Sequence, residues 1–461
     1  MSHRGRPPRS RLSMLGLTAA MFFIVSGGPY GLEEIVLGYG YGGALLLLVV
    51  LPVLWSLPCA LLVGELAAAL PVTGGYYSWV KSGLGMFWGL QEGWLSLAYS
   101  AFDIALYPTL FVTYLARIFP SLGRETYGQP GWLVAVGVIV ACTAWNMAGI
   151  RSLGRGCTAL ALAILTPFAA IVLLALATLP RGGLTAAASA FRARPTADSG
   201  TFAAGLMLAM WNLTGFDNAT TFAAEVRDPG RSYPRAVMCG AIGITVSYIV
   251  TVAAAATTGL APAAWSSGSW VEVGARLGGP TLAWAVALGG AVSAFGMYNA
   301  LLLAWSRLPV ALAEDRWLPR ALAHRSQRAR APTWSVLVGG AMSVLCVGLG
   351  LRRLVEIDII LYGAALALEF AALVALRVRE PELARPFRVP GGTIGSVAMA
   401  LPPMALLALA AWQARGEPAI AGMSAFGLST AIAVVGIAWW AALRLFRRTH
   451  PAPEGAPPEP P

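Results

Sequence analysis

Two short glycine-containing segments interrupt long apolar stretches of the chain. They are residues 26–31, with the sequence SGGPYG, and residues 211–217, with the sequence WNLTGFD. Glycine and proline end or kink helices and allow a ligand to approach the backbone. Unwinding at residues 26–31 exposes amide donors at the start of a half-helix, whose positive dipole end attracts a carboxylate or another anion. The alternative for either segment alone is a kink that only relieves packing.

Carboxylates beside these interruptions supply the opposite charge. Glu33 and Glu34 follow the first interruption, and Asp217 closes the second. An aspartate at membrane depth costs about 2.5–3.5 kcal/mol on insertion scales, so it needs a partner, water or a function. Two functions fit Asp217, a proton carrier and a ligand for a cation. The alternative is a carboxylate that the amides of the interruption satisfy.

Asp103 and Tyr107 lie one turn apart and face the same side of a predicted helix. Together they offer a carboxylate, a phenol and an aromatic wall, a combination that suits an amine. Trp211 precedes Gly215 by one turn, and two interpretations stay open for it, an aromatic lid over a ligand and plain packing.

Other charged residues have less specific meanings. Glu65 and Glu92 lie nearer the ends of their apolar stretches, and we interpret them as structural. Glu369 has no cation nearby on its own helix, so it pairs across helices or titrates. Two loop clusters, residues 227–231 and 314–316, resemble the salt bridges of a cytoplasmic gate, and solvated loop charges are the alternative.

The composition is that of an integral membrane protein. Of the 461 residues, 57% are hydrophobic and 11% are charged, and the mean hydropathy is +0.68. Soluble domains carry about 25% charged residues. Apolar runs near or above the ~18 residues that span a bilayer recur along the chain. They predict spans at residues 12–37, 42–70, 87–118, 131–149, 157–179, 201–224, 234–259, 280–311, 333–350, 354–376, 395–413 and 421–445.

The net charge of +11 reflects membrane topology and does not indicate a nucleic-acid partner. With twelve spans and an internal N-terminus, 23 of the 32 lysines and arginines fall inside and 9 fall outside. This positive-inside bias places both termini in the cytoplasm. The arginine-rich start leads into a full-length span, so we expect no cleavable signal peptide.

Residue usage argues against several chemistries. The single lysine, Lys81, is not part of a Gly-Lys-Ser/Thr phosphate loop, so the chain has no such means of using ATP. The three histidines lie in the termini or a loop, which leaves haem or a histidine-ligated metal unsupported. The five cysteines form no CxxC pair, and no nucleophile–base motif occurs. We therefore expect no cofactor, no metal and no enzymatic activity.

The two interruptions lie about 190 residues apart, and each opens a run of five predicted spans. An odd number of spans makes a second copy enter the membrane from the opposite side. A matched pair of interrupted spans is typical of an inverted-repeat transporter with its site at the bilayer midplane. The predicted organisation is a cytoplasmic arm (1–11), a first repeat (12–179), a second repeat (201–376), two appended helices (395–445) and a disordered cytoplasmic tail (449–461).

Seven segments carry a resemblance to a known superfamily. They are residues 26–34 (SGGPYGLEE), 71–76 (PVTGGY), 88–93 (WGLQEG), 103–108 (DIALYP), 211–217 (WNLTGFD), 224–229 (AEVRDP) and 385–390 (RPFRVP). With these segments in this order, the chain resembles the amino acid–polyamine–organocation superfamily. Within it, the chain looks most like the branch of plant-type polyamine uptake transporters and their bacterial relatives.

The resemblance implies an all-α, integral membrane LeuT-type fold, a 5+5 inverted repeat of twelve helices in total, with helices 1 and 6 broken around the substrate. In superfamily members that bind amino acids, the glycine motif of helix 1, here Ser26 to Gly28, holds the carboxylate. An aromatic residue at the position of Trp211 closes over substrate in the arginine/agmatine exchanger, and an acid stands at the position of Asp217. In the polyamine branch, acids of helices 1, 3 and 6 are expected to bind amines, here Glu33 or Glu34, Asp103 and Asp217.

The chain departs from the superfamily pattern at two places. Some prokaryotic relatives carry a lysine in helix 5 that substitutes for a sodium ion, and residues 157–178 contain none. The plant branch has a Ser-Ser-Asp stretch in helix 8 where this chain has Leu303-Ala304-Trp305. The choice between amino acids and polyamines therefore stays open.

These observations predict a secondary active transporter that moves amino acids or polyamines across the plasma membrane by alternating access. We expect protons to be the coupling ion and Asp217 to carry them. The alternatives are exchange of two substrates without a coupling ion, or a channel or non-transporting receptor on the same scaffold. The predicted substrate-binding residues are Ser26, Gly27, Gly28, Tyr30, Glu33, Glu34, Asp103, Tyr107, Trp211 and Asp217.

The topology is testable by labelling the C-terminal tail. A single cysteine placed after Thr449 should resist a membrane-impermeant thiol reagent in intact cells, because the positive-inside bias puts the tail in the cytoplasm. The same cysteine should react once the cells are permeabilised. Efficient labelling of intact cells would overturn the topology and, with it, the repeat assignment.

Overall fold

The computed structural model describes residues 14–72, 74–123, 127–148, 153–193, 199–218, 229–324, 326, 332–416 and 422–449. Within these ranges the chain forms helices joined by turns, and it contains no β-strand. A helix satisfies its backbone hydrogen bonds within one segment, which is what apolar stretches of this length need in a bilayer. The predicted all-α fold class is confirmed.

The helices are described here in chain order. The first eight are α1 (Met14–Ser26), α2 (Glu33–Leu51), α3 (Leu57–Ala69), α4 (Gly75–Leu84), α5 (Met86–Ala116), α6 (Pro130–Ala148), α7 (Leu153–Thr178) and α8 (Gly183–Arg192). The next eight are α9 (Ser199–Trp211), α10 (Pro229–Ala256), α11 (Trp270–Trp305), α12 (Arg307–Glu314), α13 (Thr333–Cys346), α14 (Leu351–Arg379), α15 (Gly392–Gln413) and α16 (Ala425–Thr449). A π-helical turn, Pro52–Ser56, joins α2 to α3.

Nine helical segments of the described residues are long and apolar enough to cross a membrane. One of them, Glu33–Ala69, runs through α2 and α3 and is kinked at Gly40, where φ is 65°. Three predicted spans correspond to shorter helices. The first (residues 12–37) and the sixth (residues 201–224) are interrupted, and the ninth (residues 333–350) forms the apolar segment Thr333–Leu349. Twelve crossings therefore stay a prediction.

The predicted eighth span, residues 280–311, lies within one apolar segment long enough to cross a membrane, Trp270–Glu314. α11 ends at Trp305, and α12 begins at Arg307 after a turn at Ser306. Pro309 lies four residues after Trp305, and a proline ring clashes with the carbonyl at that spacing, which ends the first helix there.

α5 lies at the centre of the molecule. It packs against α4, α6, α11, α13, α14 and α16. Its most apolar window is 78% buried, compared with 22% for the corresponding window of α15 and 11% for that of α16. Polar groups on α5 and on its partner α14 are therefore enclosed by protein, whereas α15 and α16 lie at the periphery.

A buried ion-pair network closes one end of the bundle. Glu65 on α3 is fully buried and accepts two hydrogen bonds from Arg377 at the end of α14. The amide of Val389 also donates to Glu65, at 2.6 Å, and Arg385 lies 3.5 Å away. A carboxylate with this many donors has the geometry of a structural group, which agrees with our interpretation of Glu65.

A second ion pair lies at the same end of the bundle, near the start of α5. Lys81 on α4 contacts Asp315 at 2.7 Å, and Tyr77 donates to the same carboxylate oxygen at 2.6 Å. Asp315 is thus paired and is not a solvated loop charge. Residues 227 and 228 of the other predicted loop cluster lie outside the described residues.

Candidate substrate site

Both sequence interruptions are breaks in helical structure. α1 ends at Ser26 and α2 begins at Glu33, with Gly27 and Gly28 between them at φ values of 57° and 98°. These positive φ values favour glycine. α9 ends at Trp211, and residues 212–217 follow it as turns and irregular backbone.

The two breaks lie against each other. The side-chain amide of Asn212 in the second break donates to the carbonyl of Gly31 in the first at 3.2 Å. A Cβ atom added at Gly31 would contact the Trp211 ring at 3.3 Å. The fold therefore brings the two breaks into one site, although they are about 190 residues apart in the sequence.

Side chains from neighbouring helices replace the hydrogen bonds that the breaks have lost. Ser293 on α11 donates to the carbonyl of Gly27 at 2.5 Å. Tyr248 on α10 donates to the carbonyl of Asn212 at 3.1 Å, and Ser56 in the π-helical turn donates to Leu213 at 3.3 Å. Irregular backbone at membrane depth is stable only where protein groups or water satisfy it in this way.

Two cavities adjoin the breaks. The first is lined by Val25, Ser26, Gly27, Tyr30, Tyr107, Leu110, Tyr114, Trp211, Asn212, Gly290, Ser293, Ala294 and Met297. The second is lined by Val25, Tyr99, Asp103, Tyr107, Trp211, Thr214, Gly215, Asn218, Asp358 and Tyr362. Val25, Tyr107 and Trp211 line both, so these three side chains lie between the cavities.

Trp211 is held in position by Asp103. The indole nitrogen donates to the Asp103 carboxylate at 3.0 Å, and the Trp211 and Tyr107 rings lie 6.0 Å apart between centroids. The Trp211 ring is therefore fixed between the two cavities. Trp211 thus joins the predicted pair of Asp103 and Tyr107.

Asp217 lies one layer behind the second cavity. Its carboxylate accepts hydrogen bonds from Tyr362 at 3.2 Å and from Tyr99 at 3.4 Å, and both tyrosines line that cavity. The Asp217 side chain is 1% exposed and is not among the cavity-lining residues. A ligand in this cavity would reach Asp217 through the two phenols.

The remaining predicted site residues divide between the first cavity and a neighbouring loop. Tyr30 lines the first cavity and donates to the carbonyl of Val286 at 3.1 Å. Ser26 also lines it, and its hydroxyl accepts the amide hydrogen of Gly28 at 3.1 Å. The amide of Gly28 is thus already engaged within the chain, and Gly28 itself is not among the lining residues.

Glu33 and Glu34 hold the loop that precedes α11. Glu33 accepts hydrogen bonds from Tyr114 on α5 and, at 3.1 Å, from the amide of Gly268. Glu34 accepts one from the hydroxyl of Ser267 at 3.0 Å. Neither carboxylate lines either of these two cavities. In this conformation both acids hold the loop in place.

Asp358 on α14 is a candidate site residue that our sequence analysis did not select. It lines the second cavity and is 2% exposed, and its Oδ1 has no hydrogen-bond partner among the described residues. Its charge interacts with those of Asp103 and Asp217. The sequence feature that could have identified Asp358 is an acid inside the span predicted at residues 354–376, with Tyr362 one turn further on.

The second cavity is strongly acidic. Asp103 and Asp358 line it and Asp217 lies behind it, while none of its described lining residues is a lysine, an arginine or a histidine. Carboxylates in a site of low dielectric with no basic side chain among its described lining residues favour a cationic ligand. No three His, Cys, Asp or Glu side chains of the described part of the chain are grouped in a way that would hold a metal ion.

The architecture matches that of a solved structure. The crystal structure of MhsT in complex with L-phenylalanine aligns with a TM-score of 0.61 at 17% sequence identity. The alignment covers 89% of this chain and 100% of that chain. The two interrupted helices and this match define a multi-pass membrane protein with the LeuT-type fold.

Sequence comparison identifies the family. The family model for amino acid permeases matches residues 16–440, so the chain belongs to the amino acid permease family. Polyamine transporter PUT1 of Oryza sativa subsp. japonica is 36% identical over 405 residues, which cover 86% of this chain and 73% of that protein. Polyamine transporter RMV1 of Arabidopsis thaliana is 30% identical over 398 residues, 86% of this chain and 79% of that protein.

A bacterial relative completes the comparison. An uncharacterized transporter of Mycobacterium tuberculosis is 33% identical over 313 residues, 66% of this chain and 66% of that protein. The relatives are named transporters, and together with the fold they make this chain a secondary transporter of amino acids or polyamines. The predicted superfamily, fold class and general function are confirmed.

The first break is testable by adding a side chain to it. We expect Gly28→Leu to abolish substrate binding and to leave membrane insertion intact. A Cβ atom there would lie 2.9 Å from Ile164, and the positive φ adds about 1–2 kcal/mol of strain. Binding is measured by scintillation proximity on purified protein. Gly137→Leu on α6 is the matched control, because Gly137 is exposed and an added Cβ meets open space.

Gly27→Leu should behave like Gly28→Leu, since its added Cβ would lie 3.0 Å from Met297 and Ser293. Normal transport by either variant would show that the first break is only a packing kink.

Proposed function

We propose that this chain is a proton-coupled importer of polyamines in the plasma membrane and acts as a transporter rather than an enzyme. Residues 12–179 and 201–376 are two repeats that move relative to each other around the site, with both termini in the cytoplasm. Protons and the polyamine are the small-molecule partners, and the lipid bilayer surrounds the helices. The names of the plant relatives support the substrate class.

The observation that carries this proposal is the acidic second cavity. Asp103 and Asp358 project from facing helices, α5 and α14, into one space. Two carboxylates with no basic side chain among the described lining residues suit a ligand with more than one ammonium group. A protonated polyamine carries several such groups and no carboxylate.

The first break supports a polyamine over an amino acid. An amino acid carboxylate needs free amide donors in the first break, and the amide of Gly28 there already donates to Ser26. The aromatic walls at Tyr107 and Trp211 also fit a cation, because a ring face attracts an ammonium group by about 0.5–2 kcal/mol. The cavity therefore offers more to a cation than to an anion.

Uptake by the purified full chain in proteoliposomes tests the substrate and the coupling together. With an inward proton gradient, labelled spermidine or putrescine should accumulate above equilibrium, and a panel of amino acids should neither accumulate nor compete. Asp358→Asn should weaken spermidine uptake by about tenfold or more, because a charge-assisted hydrogen bond contributes about 1.5–3 kcal/mol. Glu272→Gln, which removes an exposed acid paired with Arg276, is the control and should change little.

Three results would contradict the proposal. Uptake that stops at equilibrium indicates a channel. Uptake that requires substrate on the opposite side and ignores the proton gradient indicates an exchanger. Accumulation of an amino acid in place of spermidine would show that the substrate is an amino acid and not a polyamine.

Asp217 is the proposed proton carrier next to the cavity. Asp217→Asn keeps the size of the side chain and removes its titration, so the variant should lose pH-dependent transport more severely than it loses folding. The measurement is uptake between about pH 5 and pH 8, with thermal stability in detergent as the readout of folding. If Asp217→Asn transports at the parental rate with the parental pH profile, the proton carrier is not Asp217, and Asp103 and Glu34 are the next candidates.

A further inference from the structure

Two rows of polar side chains face each other along α5 and α14. On α5 the row consists of Glu92, Ser96, Tyr99, Asp103 and Tyr107. On α14 it consists of Asp358, Tyr362 and Glu369. Spacings of three, four or seven residues place the members of each row on one face of its helix.

The contacts between the rows fix their register. The rings of Tyr99 and Tyr362 lie 5.2 Å apart between centroids and nearly perpendicular to each other, and both phenols donate to Asp217. At one end of the rows Asp103 and Asp358 line the second cavity. At the other end lies an acid pair, Glu92 and Glu369, which is roughly 16 Å from Asp103 along α5.

The acid pair is buried and incompletely hydrogen-bonded. Glu92 is fully buried, and Glu369 is 2% exposed. Ser96 donates to Oε1 of Glu92 at 2.9 Å. Within the described ranges, Oε2 of Glu92 and Oε2 of Glu369 accept no hydrogen bond. Nothing in the substrate cavity accounts for these two carboxyl groups.

The titratable groups close enough to interact electrostatically with the acid pair come from three other elements. They are Asp217 in the second break, Cys59 on α3 and Tyr76 on α4, together with Tyr99 and Tyr362 of the rows themselves. The phenols of Tyr99 and Tyr362 donate to Asp217, so they connect the surroundings of the acid pair to Asp217.

The basic side chains at this end of α4 and α14 have other partners. Lys81 pairs with Asp315, and Arg377 pairs with Glu65. Arg379 donates to the carbonyl of Gly83 at 2.9 Å. The acid pair is therefore enclosed with acids, phenols and a thiol in the described part of the chain.

We propose that Glu92 and Glu369 together hold one exchangeable proton and exchange it with Asp217. Two neighbouring carboxylates in a low dielectric are stable when they share a proton, because two negative charges repel strongly there. In each transfer one proton leaves the acid pair and the Asp217 carboxylate gains one. The proton site is thereby separate from the substrate cavity, at the end of the bundle that the positive-inside bias assigns to the cytoplasm.

This inference rests on the proposed proton coupling, and the test separates the two. Purified Glu369→Gln and Glu92→Gln are compared with the parent in proteoliposomes, using labelled spermidine in two assays. Counterflow, in which spermidine exchanges across the membrane without a proton gradient, should stay within about twofold of the parent. Accumulation driven by a proton gradient, and the internal acidification that accompanies it, should be lost.

Glu356→Gln is the matched control. Glu356 lies on the same helix and is also buried, but it pairs with Arg352 at 2.9 Å and is not part of the rows. This control should keep both counterflow and proton-driven accumulation. Glu369→Asp, which preserves the acid, should keep partial proton-driven accumulation.

The possible outcomes lead to different conclusions. If the parent itself shows no proton-driven accumulation, the proposed coupling fails. If the parent is proton-driven and both glutamine variants remain so, the acid pair is not the proton site and the inference is overturned. A variant that does not fold is recognised by loss of counterflow, and infrared spectroscopy of the parent then decides, since a shared proton requires a carboxylic acid band at neutral pH.

Discussion

The backbone of the two breaks carries hydrogen-bonding groups that no helix satisfies, and much of the surrounding structure is arranged to satisfy them. Ser293, Tyr248 and Ser56 donate to carbonyls of the breaks from three different elements. Asn212 joins one break to the other. Because an unsatisfied amide or carbonyl in hydrocarbon costs several kcal/mol, these contacts fix where α10, α11 and the π-helical turn lie relative to α1 and α9.

The buried acids of this protein fall into two groups that differ in their partners. Glu65 is surrounded by Arg377, Arg385 and a backbone amide, and its charge is compensated where it stands. Asp358 and Glu369 each have a carboxylate oxygen with no hydrogen-bond partner among the described residues. Since an uncompensated buried charge is costly, acids of the second kind persist where a cation or a proton supplies the missing partner.

The sequence predicted the fold well because its main signals are local. Apolar length predicts helices, and the glycine and proline clusters at residues 26–31 and 211–217 predict breaks, since both depend on a few consecutive residues. The pair Asp103 and Tyr107 was recognisable from helical spacing alone. The turn between α11 and α12 was not recognised, although Pro309 carried that information.

The sequence by itself thus determined the apolar character of the segments, the two breaks and the acids available near them. Only the tertiary structure decided that Asp103 and Asp358 share a cavity, that Asp217 lies behind two phenols, and that Glu33 and Glu34 hold a loop. The physical reason is that charge compensation depends on distances between helices. Spacing along one helix places side chains on a face, but which face meets which partner is set by packing.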